Sequence, residues 1–376
     1  MTLLSRLSLT EFRNYKLLRW TPDRHLSVVW GPNGSGKTNV LEAVSLLVPG
    51  RGLRGARVAE LGRIGATAPW AVAGRFETAD DVLDVGTGVA EGGGGERRVF
   101  LVDGAPPRSQ AQIATRISAV WLTPRMDRLF AEGASGRRRF LDRLVWALDP
   151  AHAREVAAHD TAMTQRNRLL AGERGWDEDW LAGLEDAIAR HAVAVTAARA
   201  GLAARLSAAL AEGAAAPFPA ALMSLACPIA ERLETSPALA LEDWLRAELA
   251  AGRARDRAAG MAALGAHRAD MALSDATTGL PAARASTGQQ KALLIGVVLG
   301  HAALIARLRG FAPLLLLDEP CVHLDATRRA DLADALRHLP AQALLTGTDA
   351  DAFDGLRGAA AFFRTGGDTL VRDPDC

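Results

Sequence analysis

The pattern of apolar and polar positions divides the chain into three regions. Met1 to Leu9 alternates and predicts a strand. Leu26, Val28, Val29 and Trp30 form a short apolar run, read as a buried strand; a glycine-rich segment follows, then Val40, Leu41, Val44 and Leu47 at helical spacing. Val82–Val89 and Arg98–Val102 flank Glu91–Glu96, which reads as a flexible hairpin tip. From Gly136 to about Gly260 alanine and arginine dominate and β-branched residues are sparse. Apolar positions there recur at helical spacing, as at Leu202, Leu206 and Leu210. Gly213–Pro219 and Thr235-Ser236-Pro237 interrupt this helical region. Beyond about residue 261 mixed α/β patterning returns, with an apolar helix over Ala292–Leu308. Leu314–Leu317, behind Pro313, reads as a strand buried on both faces, as in a parallel sheet.

This pattern predicts an α/β domain split in sequence, residues 1–120 and 261–376, with a mostly helical arm, residues 121–260, inserted between its halves. The breaks in the arm exclude a long heptad seam, so no long coiled coil is expected.

Chemistry enters at Gly31-Pro32-Asn33-Gly34-Ser35-Gly36-Lys37-Thr38, which fits G-x-x-x-x-G-K-[ST] between a strand and a helix. Its glycines let backbone N–H groups turn onto phosphate oxygens at the positive end of the helix. Lys37 is expected to reach the β- and γ-phosphates of ATP, and the Thr38 hydroxyl to ligate Mg²⁺. Lysine occurs only at positions 16, 37 and 291; elsewhere the basic residues are arginine. A compact ammonium fits between phosphates where a planar guanidinium does not, so lysine at this position is informative.

Asp318 closes the leucine strand and is expected to hold Mg²⁺; Glu319 beside it is the candidate general base for an attacking water. Ser286-Thr287-Gly288-Gln289-Gln290-Lys291 precedes the apolar helix, so Ser286 and Gly288 fall at an anion-attracting helix N-terminus. Cradle, serine-glycine-glutamine signature and Asp-Glu strand, in this order, resemble the ABC-type ATPases. That resemblance implies a dimer in which Ser286, Gly288 and Gln289 serve the partner's γ-phosphate. It also places Asp325, in Val322-His323-Leu324-Asp325, at the dimer face. Thr346 or Thr348 stands where many relatives carry a γ-phosphate-sensing histidine.

The whole chain bounds these readings. At 376 residues, 49% hydrophobic and 23% charged, it has the composition of a soluble globular protein of two domains. Neither a signal-peptide stretch nor a run approaching roughly 18 apolar residues is evident, so a cytoplasmic protein without membrane association is expected. Cys227, Cys321 and Cys376 are far apart, which points away from disulfides and structural zinc. A net charge of +1 argues against a basic tail that coats nucleic acid but leaves room for local patches. The candidates are Arg51/Arg54/Arg57, Arg137/Arg138/Arg139 and Arg253/Arg255/Arg257. With 5% aromatic residues there is no evident platform for stacking single-stranded bases, which favours backbone contacts to duplex without sequence readout.

Further segments resemble the RecF family of bacterial recombination and gap-repair ATPases. Leu7–Tyr15, containing Phe12-Arg13-Asn14-Tyr15 and the only tyrosine, matches its opening strand. Val102-Asp103-Gly104 matches its short hairpin. Trp121-Leu122-Thr123-Pro124 with Arg137-Arg138-Arg139-Phe140-Leu141-Asp142, Gln165–Leu170 and Gly265–Asp270 match later segments. Departures are Ala266 and Ala269 for proline and aspartate, Arg125-Met126-Asp127 for an acidic pair, and Cys321-Val322-His323; they bear on partner contacts and coupling loops. The resemblance implies nucleotide contacts from Arg13 and Asn14, and a weak DNA-stimulated ATPase acting as a switch. It implies an ATP-dependent homodimer on gapped or single-strand/duplex junction DNA. RecO and RecR are the implied partners, with RecA loading, replication restart and the SOS response downstream.

Three alternatives stay open on the sequence. A nucleotide-binding subunit of another ABC-type system, such as a transporter, shares all three motifs. A P-loop kinase would give Ser286 no role and form no ATP-driven dimer. In a binding module with structural ATP, Glu319 would have no task.

Overall fold

The computed structural model describes residues 2–23, 25–78, 81–90, 97–172 and 177–374. The expected hairpin tip at Glu91–Glu96, and Cys376, lie outside the described residues. Along the chain come β1 (Leu3–Phe12), β2 (Tyr15–Trp20), β3 (Leu26–Trp30), α1 (Lys37–Leu46), β4 (Ala71–Glu77), β5 (Val82–Val89), β6 (Arg98–Val102), α2 (Gln110–Ala114) and β7 (Ala119–Leu122). There follow α3 (Ala134–Leu148), α4 (His152–Leu170), α5 (Glu178–Ala211), β8 (Ala221–Ala226), α6 (Pro228–Leu233), α7 (Ala238–Ala251), α8 (Arg253–Ala259) and β9 (Asp270–Asp275). The chain ends with α9 (Thr287–Arg309), β10 (Leu314–Leu317), α10 (Ala326–His338), β11 (Ala343–Gly347), β12 (Ala361–Gly366) and β13 (Thr369–Arg372).

The chain divides into two compact units. The first holds Met1–Arg128, Ala209–Ala220 and Ala285–Cys376; the second holds Leu129–Ala208 and Ala221–Arg284. The expected limits at 120/121 and 260/261 therefore move. Residues 261–284 group with the helical unit because β9 pairs antiparallel with β8, from Ala221↔Asp275 to Ala226↔Asp270. Ala262, Ala266 and Ala269 also join that unit's core. Residues 121–128 stay with the first unit, where Lys291 of α9 donates to Asp127 at 2.9 Å.

In the first unit a six-stranded sheet runs β13-β12-β3-β11-β10-β7, and a five-stranded sheet runs β2-β1-β4-β5-β6. The first is parallel from β12 to β7, with β13 antiparallel at the edge. Its core is made by continuous apolar strands such as β10, every leucine of which is buried. The second sheet is antiparallel, and β4 alternates buried and exposed positions as a one-sided sheet requires. The Gln342 side chain joins the two: its Oε1 accepts from Leu4 N–H at 2.7 Å, and its Nε2 donates to the Leu4 and Asp23 carbonyls. After β6, Asp103 and Gly104 take positive φ angles of 51° and 80°, and Val102 and Ala105 exchange backbone hydrogen bonds. This is the tight hairpin expected there.

Two described helices, Glu178–Ala211 and Thr287–Arg309, are long and apolar enough to cross a membrane by length and composition, which corrects the expectation that no run approaches that limit. In Thr287–Arg309, 78% of the apolar window is buried inside the protein, as in a core helix. Half of the α5 window is buried, and α5 places Glu185, Asp186, Arg190 and Arg199 in ion pairs.

The second unit shows what the family-like segments do locally. Arg166, of Gln165–Leu170, is fully buried and donates to Glu185, Asp256 and the Leu249 carbonyl. Arg199 makes two hydrogen bonds to Asp142, and Arg137 makes two to Asp270. His267 is pushed down to about 4, first by burial, so it is neutral near pH 7. These segments are internal ties. Removing Arg166 would leave the buried carboxylates of Glu185 and Asp256 short of a partner, at a cost of about 3–5 kcal/mol.

Candidate nucleotide site

The site forms at the carboxyl ends of the parallel strands of the first unit, where ligands of open α/β sheets sit. After β3 the chain turns through Gly31, Gly34 and Gly36 with φ of 148°, 80° and 95°. Space as well as conformation requires glycine at two of these. A Cβ at Gly31 would meet Thr365 Oγ1 at 2.1 Å, and one at Gly36 would meet the Asn14 side chain at 2.5 Å. Thr365, from β12, donates to Ser35 Oγ at 2.7 Å and braces the loop from the next strand. Pro32, Asn33 and Gly34 form the exposed tip.

The Phe12-Arg13-Asn14-Tyr15 segment packs on the loop and its helix. Tyr15 donates its hydroxyl to the Gly36 carbonyl at 3.2 Å, and burial pushes its phenol up to about 12. Asn14 accepts from Asn39 Nδ2 at 2.7 Å and donates to the Gly367 carbonyl. Arg13 donates twice to Glu42, at 2.8 and 2.7 Å, and once to the Glu60 carbonyl. Arg13 and Asn14, the expected nucleotide contacts, thus lie beside the phosphate loop, Arg13 tied to α1 through Glu42 and Asn14 through Asn39. Glu42, an almost fully buried carboxylate on α1, also accepts from Arg54 at 3.2 Å. Sequence reasoning missed Glu42; its signal was the lone acid of α1, set between Leu41 and Ala43.

Lys37 is 4% exposed and donates Nζ to the Gly31 and Pro32 carbonyls at 2.7 and 2.8 Å. Burial lowers its ammonium, opposed by the charges of Glu319, Asp318 and Asp349. Thr38 Oγ1 donates to Asp318 Oδ1 at 2.9 Å, so residues far apart in sequence meet. Hydroxyl and carboxylate are hard oxygen donors that suit Mg²⁺, which completes its shell with water and phosphate oxygens. No group of three or more His, Cys, Asp and Glu placed to hold a metal occurs among the described residues.

Strand order explains the next contact. β11 lies between β3 and β10, so its carboxyl end falls between the phosphate loop and the Asp318-Glu319 turn. Thr346, on β11 and fully buried, donates to Asp318 Oδ1 at 2.7 Å and accepts from Glu319 N–H at 3.1 Å. Thr348 is less buried and donates to Asp349 at 2.9 Å. Of the two candidates, Thr346 orients the acidic pair and Thr348 lies nearer the surface. Glu319 has φ of 50°, uncommon outside glycine and a conformation that tertiary contacts must hold.

The signature forms a separate cluster at the start of α9. Ser286 caps the helix: its Oγ accepts from Gln289 N–H at 3.3 Å, while Gln289 Oε1 accepts from Ser286 N–H at 2.9 Å. Gly288 lies against the turn before α10; a Cβ there would meet the His323 carbonyl at 3.2 Å. Asp325 caps α10 by accepting from Arg328 N–H at 2.8 Å. Ser286, Gln289 and Asp325 are all exposed.

No protein-family profile matches the chain. Curated relatives do. The DNA replication and repair protein RecF of Rhizobium rhizogenes is 44% identical over 363 residues, covering 96% of both chains. RecF of Agrobacterium fabrum is 45% identical over the same length and coverage. The solved structure of the recombination mediator protein RecF-ATPrS in the RecFOR pathway matches with a TM-score of 0.86 at 22% identity, over 99% of this chain and 98% of that one. The Smc head domain of Pyrococcus furiosus, with an extended coiled coil and bound to the C-terminal domain of ScpA, matches with a TM-score of 0.54 at 16% identity, over 99% of this chain and 96% of that one. The fold is therefore that of the ABC-type ATPase heads, without the long coiled coil. Relatives this similar along nearly their whole length place the chain in the RecF family.

Proposed function

We propose that the protein is an ATP-dependent DNA-binding switch of recombinational repair, resident in the cytoplasm. The observation that carries this is the convergence of Lys37, Thr38, Asp318 and Thr346 at one set of strand ends, where Thr38 and Thr346 both donate to Asp318 Oδ1, at 2.9 and 2.7 Å, and Lys37 is bonded within the phosphate loop. The relatives' description as DNA replication and repair proteins supports the biological setting.

In this reading the backbone N–H groups between Asn33 and Thr38 and the Lys37 ammonium bind the β- and γ-phosphates of ATP. Thr38 and Asp318 would hold Mg²⁺, which neutralises charge developing on the phosphates. Thr346 orients Asp318 and the Glu319 backbone, so the Glu319 carboxylate takes the proton of the attacking water. Arg13 and Asn14 set the position of α1 and of Gly36, and so the shape of the cradle.

Ser286, Gly288, Gln289 and Asp325 face a second copy of the chain, and the signature completes the partner's site. ATP favours the closed dimer only through its higher affinity for that state. Closure creates the DNA-binding form at gaps, junctions or duplex, with little sequence readout. RecO and RecR then act with it in RecA loading, replication restart and the SOS response. Slow, DNA-stimulated hydrolysis reopens the dimer.

The test is binding of the full chain to labelled gapped DNA with ATP and with ADP, with oligomeric state followed in the same samples. Dimer and DNA complex are expected together, and only with ATP; binding indifferent to nucleotide would refute the switch. Ser286→Ala is expected to weaken ATP-driven dimerisation by on the order of tenfold, through loss of one charge-assisted hydrogen bond. ATP binding by the monomer should hardly change. Equal damage to both would show that Ser286 serves only its own subunit.

A further inference from the structure

The three arginine clusters differ in what their guanidinium groups already hold. Arg137 is bound twice to Asp270 and Arg138 donates to the Ala269 carbonyl, while Arg139 is exposed, has no salt-bridge partner among the described residues and lines no described cleft with Arg51 and Arg57. Arg253 pairs with Glu185, Arg255 with Asp256, and Arg257 donates to the Gly172 carbonyl. In the remaining cluster Arg54 is held by Glu42, whereas Arg51 and Arg57 have no salt-bridge partner among the described residues.

Arg51 and Arg57 line a cleft of about 570 Å³ together with Arg98, Phe100, Gly50 and Gln110. No carboxylate lines it among the described residues. Arg98 forms a fixed floor: it donates to Thr87 Oγ1 and to the carbonyls of Leu46, Val48 and Gly50. Those carbonyls belong to the end of α1 and the turn beyond it, so a guanidinium caps the negative pole of the helix whose positive pole is the phosphate loop. With the helix end satisfied by Arg98, the charges of Arg51 and Arg57 remain available to an anion. The Arg98 guanidinium also lies 4.2 Å from the centroid of the Phe100 ring and covers one of its faces. The aromatic group is thereby occupied, which disfavours base stacking and favours a phosphodiester.

Resting on the DNA-binding reading above, we propose that this cleft seats a backbone phosphate of duplex DNA, gripped by Arg51 and Arg57. It lies at the opposite end of α1 from the nucleotide, about 15 Å away along a helix of ten residues. One rigid element then touches two phosphate ligands, one at each pole, and connects DNA to the ATP site.

The experiment compares the full chain with Arg51→Gln/Arg57→Gln in ATP, measuring affinity for labelled duplex and gapped DNA across a salt series. The single substitution Arg139→Gln, at an exposed arginine of another cluster, serves as a charge control. Duplex affinity of the double variant is expected to fall by on the order of tenfold at low salt. The slope of log affinity against log salt should fall by about 0.9, the value for one phosphate charge that is no longer neutralised. ATP affinity and Tm should stay at the parent's values. Parent-like affinity and slope in the double variant, beside binding by the parent, would overturn the cleft alone. An equal loss in Arg139→Gln would overturn it too, because only long-range charge would then be acting. A loss confined to single-stranded regions would overturn the duplex assignment. If the parent itself fails to bind DNA in ATP, the cleft and the proposed function fall together.

Discussion

Glu319→Gln is expected to bind ATP at close to the parent's affinity and to hydrolyse it about 100-fold to 10,000-fold more slowly, the range spanned by loss of a general base. The amide keeps the size of the side chain and removes its ability to take a proton. The backbone that places it should be unchanged, since Glu319 N–H is held by Thr346 Oγ1 and the residue's φ of 50° is set by the turn. On the proposal that hydrolysis reopens the dimer, the variant should accumulate as an ATP-bound dimer on DNA. Single-turnover hydrolysis and the lifetime of the DNA complex check this together. Parent-like turnover would remove Glu319 as the base and direct attention to another water-orienting group.

The second large effect is at Lys37. Lys37→Ala is expected to reduce ATP affinity by about 100-fold or more, since each charge-assisted hydrogen bond to a phosphate contributes roughly 1.5–3 kcal/mol. Folding should survive. The ammonium is almost fully buried and bonded only to the Gly31 and Pro32 carbonyls of its own loop, so removing it also removes a desolvation cost. Calorimetric titration with ATP, beside a thermal melt without nucleotide, separates the two effects. Undiminished affinity would show that Lys37 does not contact the phosphates. A collapsed melt with no binding would mean that the lysine's main role is to hold the loop.

The candidate nucleotide site was legible because the chemistry it would perform constrains neighbouring residues. Positive φ angles at Gly31, Gly34 and Gly36 demand glycine, a phosphate-binding ammonium demands lysine, and a strand buried on both faces demands a run such as Leu314–Leu317. Each leaves a mark within a few residues. The supporting interactions leave no such mark. Glu42 gains its meaning from Arg13 and Arg54, and Thr365 from Ser35. Thr346 gains its meaning from Asp318 and Glu319, which it meets because β11 lies between β3 and β10, a fact of sheet order that local pattern does not carry.

By itself, then, the sequence determined the split α/β architecture, the phosphate loop, the Asp318-Glu319 turn, the capped signature helix and the family. All are written in residue types and short spacings. Only the tertiary structure decided that residues 261–284 belong with the helical unit, that the Phe12–Tyr15 segment buttresses α1, and that Arg51 and Arg57 line a cleft with no carboxylate among its described lining residues. Strand pairing and ion pairing join positions tens to hundreds of residues apart. Their partners are chosen by packing, and a local pattern can show which groups need a partner but not which partner they receive.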